Sequence, residues 1–206
     1  MSHDIFIFGS VVRGEVSSTS DTDILVIPVG PVGLKTYPPS WSVYQRETIK
    51  DYFREGRLFA WHLHLESRCV YSAGPMNWLQ ILGDPAPYGA AREDVLTLTE
   101  LLDESLAELQ HGTNSAIYEL GICYTAVRDI AMAASWQKIG APSFSRYAPY
   151  KLPTPVPLDR ESYERAMLAR HFSTRGGHQP PAVGATQSAF LAAPLIDWAR
   201  TLGDSL

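Results

Sequence analysis

Lysine is scarce in this chain, supplying four of the 17 cationic residues, against 22 carboxylates and a formal charge of −5. There is no basic tail and no lysine-rich run, and the first 90 residues carry −2 and the remainder −3, so neither half has the surplus that holds a nucleic acid backbone. Cysteine is also rare. Cys69 and Cys123 cannot make a disulfide framework, and no CxxC or Cys/His spacing marks a structural zinc site, so both are expected to be buried thiols. No cationic segment followed by an apolar stretch opens the chain, and no window reaches the ~18 apolar residues of a membrane span. These absences predict a soluble, cytoplasmic protein. Charged residues amount to only 19%, and Pro, Gly, Ser and Thr fill the deficit, which predicts long ordered loops. What is present is core material: 45% hydrophobic and 11% aromatic residues in a chain of 206, enough for one large domain or two small ones.

Residues 4–8 (DIFIF) form a short apolar run ending in Gly9-Ser10, read as a buried strand meeting a tight turn, with about two turns of helix through Val11, Val12 and Arg13. A polar loop follows, and 23–27 (DILVI) reads as a second strand. Four prolines between 28 and 40 exclude a continuous helix or central strand there, leaving a loop and candidate lid. Residues 42–55 read as a helix stopped by Gly56, and 58–71 as a strand in which His62, His64 and Glu66 share one face. Beyond 85–90 the apolar period changes from 2 to 3.6. Helices are expected over 92–109, over 114–138 with Asn114 as N-cap, over 160–172 and over 185–202. The fold class is therefore α+β: a small mixed-sheet unit over 1–88, then an all-α helical bundle over 89–206.

Asp21 and Asp23 open the second strand one residue apart, and residues i and i+2 of a strand project from the same face. Two carboxylates that converge repel unless a cation sits between them, and a hard divalent ion with oxygen ligands, Mg²⁺, is the natural partner. The longer string FIFGSVVRGEVSSTSDTDILVI places a hydrophobic strand, Gly9-Ser10, ten residues, and Asp21-Thr22-Asp23 in order. It resembles the nucleotidyltransferase superfamily that includes DNA polymerase beta. The Arg13-Gly14 and Ser20-Asp21 pairs look like its minimal nucleotidyltransferase and aminoglycoside nucleotidyltransferase branch. The resemblance covers residues 5–27. It implies that Gly9 and Ser10 hold a nucleoside triphosphate, with the turn beside a helix N-terminus, and that Arg13 neutralises a phosphate. It further implies that Asp21 and Asp23 bind Mg²⁺ in a two-metal arrangement and that AMP passes from ATP to a hydroxyl with release of pyrophosphate. A third carboxylate usually completes such sites as metal ligand or base. Glu66 is the candidate, His64 is the alternative as a polar neighbour, and His62 is read as mainly structural.

For the helical half the resemblance implies an accessory domain that shapes the acceptor pocket. Glu119, Arg128 and Asp129 interrupt the apolar run 117–136 and are candidates for that site or for interhelical ion pairs. The acceptor is expected to be a small molecule, an aminoglycoside among them, or a protein hydroxyl; the net acidity favours a cation. Nucleic acid and membrane partners are disfavoured, and a homodimer is permitted. Two other readings remain: a catalytically weak nucleotide-binding antitoxin or sensor of the same fold, and a HEPN-type helical ribonuclease using Arg165 and His171. The latter spacing is expected about once by chance in a chain of this composition.

Overall fold

The first strand, β1 (His3–Phe8), alternates half-buried and buried residues so that Asp4, Phe6 and Phe8 share the inward face. Its neighbours β2 (Asp23–Pro28) and β4 (Ser67–Tyr71) both run antiparallel to it, while the two-residue β3 (Ser42–Val43) pairs parallel with β2. The result is a mixed sheet in the order β3-β2-β1-β4. This computed structural model describes residues 3–16, 22–30 and 37–206, so Asp21 and part of the expected lid, 31–36, lie outside the described residues. The chain divides into two units, Met1–Gly89 and Ala90–Leu206.

In the first unit the sheet packs its inward face against α2 (Arg46–Arg54), α3 (Leu58–Glu66) and α4 (Trp78–Leu82). Phe6, Leu25, Ile27, Ile49 and Leu63 are fully buried, each removing apolar surface worth about 1.5–3 kcal/mol. Asp4 sits on the same buried face, at 1% exposure. Its carboxylate accepts the backbone N–H groups of Ala73 (2.9 Å) and Trp78 (2.7 Å) and the Ser72 hydroxyl (3.2 Å), with Arg46 3.8 Å away. A single buried charge thus fixes the loop between β4 and α4 onto β1.

Several sequence expectations need correction. Residues 58–66 are helical, not extended, and only Ser67–Tyr71 of the expected long strand is strand. The alternation of 62–66 is not what burial follows: Leu63 is buried with Ala60 three residues before it, whereas Leu65, which a strand would bury beside Leu63, is exposed. The helix expected from 42 begins at Arg46, because Ser42 and Val43 pair with Leu25 and Val26. Cys69 lies on the edge strand and is exposed; Cys123 is buried as expected.

The second unit is all helical: α5 (Ala91–His111), α6 (Ala116–Ile139), α7 (Arg160–Arg175), α8 (Val183–Ala192) and α9 (Leu195–Asp204). Central α6 packs against the other four and buries residues around most of its circumference. Gly121 is where α7 approaches closest: a Cβ there would lie 2.8 Å from the Arg170 Cα. Ser115, not Asn114, occupies the N-cap position of α6. The single helix expected over 185–202 is two, broken at Pro194, whose ring cannot continue α8. No described helix is long and apolar enough to cross a membrane.

Candidate functional site

Phe8, the last residue of β1, has Asp23 as its partner on one side and Ser67 on the other. Asp23 opens β2, and Glu66 is the last residue of α3, immediately before Ser67. Two of the three carboxylates singled out from the sequence therefore stand at one end of the sheet, Asp23 as the first residue of β2 and Glu66 as the residue immediately before β4. Their separation along the chain is bridged only by strand pairing.

Gly9 follows Phe8 with φ 76° and ψ −142°, a region essentially restricted to glycine. The missing side chain matters as much as the backbone, since a Cβ at Gly9 would lie 2.6 Å from Asp23 Oδ2. The Asp23 carboxylate therefore lies over the bare Gly9 backbone. Ser10 begins α1 (Ser10–Arg13), a single turn rather than the two expected. The Gly9 carbonyl accepts the N–H groups of Val12 (3.1 Å) and Arg13 (3.2 Å), and the left-handed Gly14 ends the turn.

Arg13 projects from this turn into a cluster of carboxylates. Its Nε donates to Glu15 Oε2 at 3.1 Å, and its Nη1 donates to Glu66 Oε2 in a short contact. His62, one helical turn before Glu66, brings Nε2 to 3.1 Å from the same Oε2, and its ring stands edge-on to Phe8 with centroids 5.5 Å apart. His64 is elsewhere, with Nε2 3.4 Å from Asp84 Oδ1 and its ring against Trp61. His62, not His64, is thus the neighbour of Glu66, because a helix separates residues two apart that a strand would align. Among the described residues no cluster of three or more His, Cys, Asp or Glu has metal-binding geometry, and Asp21 is not among those residues. Asp23 supplies hard oxygen donors at the Gly9 turn, which suit a hard cation better than a soft one.

In the helical unit, Arg128 Nε donates to Asp129 Oδ1 at 2.8 Å, so these two candidates form an ion pair with each other. Burial opposes the Arg128 charge, but Asp129 and Tyr124 beside it more than offset this and raise its pKa. Arg165 pairs with Glu161 one turn earlier on α7. Burial holds the Tyr163 phenol well above its ordinary pKa, and its hydroxyl donates to the Arg146 carbonyl at 2.6 Å.

The Gly9, Asp23 and Glu66 positions lie within or next to a segment with a known family signature. Residues 2–65 match the family model of the nucleotidyltransferase domain. No curated protein matches the chain. Among solved structures, spectinomycin adenyltransferase AAD(9) from Enterococcus faecialis, with ATP and spectinomycin, is similar over 98% of this chain and 91% of its own, at 11% identity and a TM-score of 0.48. The Gly-Ser turn and the second-strand aspartate thus fall in the one segment, residues 2–65, that is similar to the nucleotidyltransferase domain family.

Proposed function

We propose that the chain transfers AMP from ATP to a hydroxyl of a small molecule. The observation that carries this reading is the Asp23 carboxylate over the bare Gly9 turn, with Glu66 at the same end of the sheet, inside and beside the segment that matches the nucleotidyltransferase family. Gly9 and Ser10 hold the triphosphate, the glycine because no side chain blocks a close approach of phosphate to backbone. Asp23, with Asp21 two residues before it in sequence, would hold Mg²⁺. An ion held there would neutralise triphosphate charge and make the α-phosphorus more electrophilic.

Glu66 acts as the base. The acceptor oxygen forms a bond to the α-phosphorus as the bond from that phosphorus to the bridging oxygen breaks. Pyrophosphate leaves with the electron pair, and the hydroxyl proton goes to the Glu66 carboxylate and then to solvent. Cationic acceptors fit the net charge of −5. The test is pyrophosphate release from α-labelled ATP with Mg²⁺ and a panel of hydroxyl acceptors that includes spectinomycin and other aminoglycosides and aminocyclitols. Turnover should require the metal and vanish in the Asp21→Asn, Asp23→Asn double variant. Activity that survives that variant refutes the assignment. ATP binding without release of pyrophosphate on any acceptor would instead make the protein a nucleotide-binding module.

A further inference from the structure

We propose that Arg13 is a positioning residue that holds Glu66 by one oxygen, so that the other takes the proton of the acceptor hydroxyl. The inference rests on the reading of Glu66 as base. Arg13 is engaged by the chain itself: Nε meets Glu15, Nη1 meets Glu66, and the side chain is 16% exposed. A phosphate reaching this guanidinium would have to displace a carboxylate, so the expected role as a triphosphate ligand does not fit its surroundings.

The distribution of contacts on Glu66 is the second observation. Both the Arg13 Nη1 bond and the His62 Nε2 contact at 3.1 Å fall on Oε2, and among the described residues no hydrogen bond or ion pair falls on Oε1. An oxygen that accepts from a guanidinium is the poorer proton acceptor, and the opposite oxygen of the same carboxylate keeps its lone pairs. His62 lies beside this pair on α3, its ring edge-on to Phe8. Arg13 also sits three residues after Ser10 on the single turn that follows Gly9, so its fork ties that turn to the end of α3. A planar fork with donors in fixed directions can span two carboxylates in this way; an ammonium, as a point charge, cannot.

The experiment uses the full chain and the variants Arg13→Gln, Arg13→Lys, Glu66→Gln and Arg13→Gln with Glu66→Gln. Calorimetry with ATP and Mg²⁺ gives Kd, and pyrophosphate release with an acceptor used by the wild type gives kcat and KM. A positioning role predicts kcat about 10- to 100-fold lower in Arg13→Gln, the scale of loss when a reacting group is misplaced by up to an ångström. ATP Kd should stay within about twofold of wild type, because the guanidinium does not hold phosphate. The double variant should be no slower than Glu66→Gln alone. Should Arg13→Gln fail to fold, Arg13→Lys carries the test with the same split between kcat and Kd. An ATP Kd that rises as far as kcat falls, or losses that add in the double variant, overturns the positioning role and leaves the proposed activity standing. A wild-type chain that turns over no hydroxyl acceptor overturns both readings.

Discussion

Replacing Gly9 with alanine tests the geometry of the site most directly, because two separate effects follow from it. The backbone at φ 76°, ψ −142° costs a non-glycine residue about 1–3 kcal/mol. The added Cβ would also lie 2.6 Å from Asp23 Oδ2, so the carboxylate must retreat by about 0.8 Å to reach ordinary contact at 3.4 Å. A displacement of that size in a reacting group costs up to about 100-fold in turnover. Gly14 supplies the control. It too is left-handed, at φ 72° and ψ 15°, but nothing lies within 4 Å of its Cβ position. Gly14→Ala should therefore lose only about 1–2 kcal/mol of stability. Urea unfolding followed by tryptophan fluorescence measures the strain in both variants, and pyrophosphate release measures the displacement. The reasoning predicts comparable destabilisation but a loss of turnover in Gly9→Ala alone. Equal turnover in the two variants, with both folded, would show that Asp23 does not need its place over Gly9.

Asp4→Ala should cost about 3–5 kcal/mol in chemical denaturation, because Arg46 and two backbone N–H groups lose their buried acceptor. Gly121→Ala should destabilise by about 1–3 kcal/mol despite the better helix propensity of alanine, since α7 must move away from a Cβ 2.8 Å from Arg170 Cα; thermal unfolding measures it. Asp159 caps α7 by accepting the Ser162 N–H at 2.8 Å, which lowers its pKa below the ordinary value. That stabilisation is complete above about pH 3.9 and fades as pH falls through the lower folded value; Asp159→Ala should remove about 1 kcal/mol at neutral pH and weaken this acid dependence. A thiol reagent on the native protein should label Cys69 alone, and Cys123, pushed up to about 12 by burial, only after denaturation. Two thiols labelled at native rates would contradict the burial of α6.

Features that depend on neighbours along the chain are legible in the sequence. The Gly9-Ser10 turn, the β1 and β2 runs and the change to a helical period after residue 90 are local, set by backbone sterics and side-chain periodicity over a few residues. Glu66 is legible as a candidate, but for the wrong local reason. Alternation places it on a strand, whereas it ends a helix that buries Ala60 and Leu63, three apart, and leaves Leu65 exposed. The part His62 plays at Glu66 is hidden for the same reason, since their contact exists only at the i, i+4 spacing of that helix.

Tertiary structure decides the rest. Arg13 and Glu66 are 53 residues apart and meet only because β4 pairs beside β1. The burial of Asp4 depends on N–H groups from residues 73 and 78, which no pattern near Asp4 announces. By itself the sequence determines the Gly9-Ser10 turn, the β1 and β2 runs and the change to a helical period after residue 90. Strand pairing determines which oxygen of which carboxylate faces which cation, because pairing is a contest among distant segments for burial and hydrogen bonds that no short window contains.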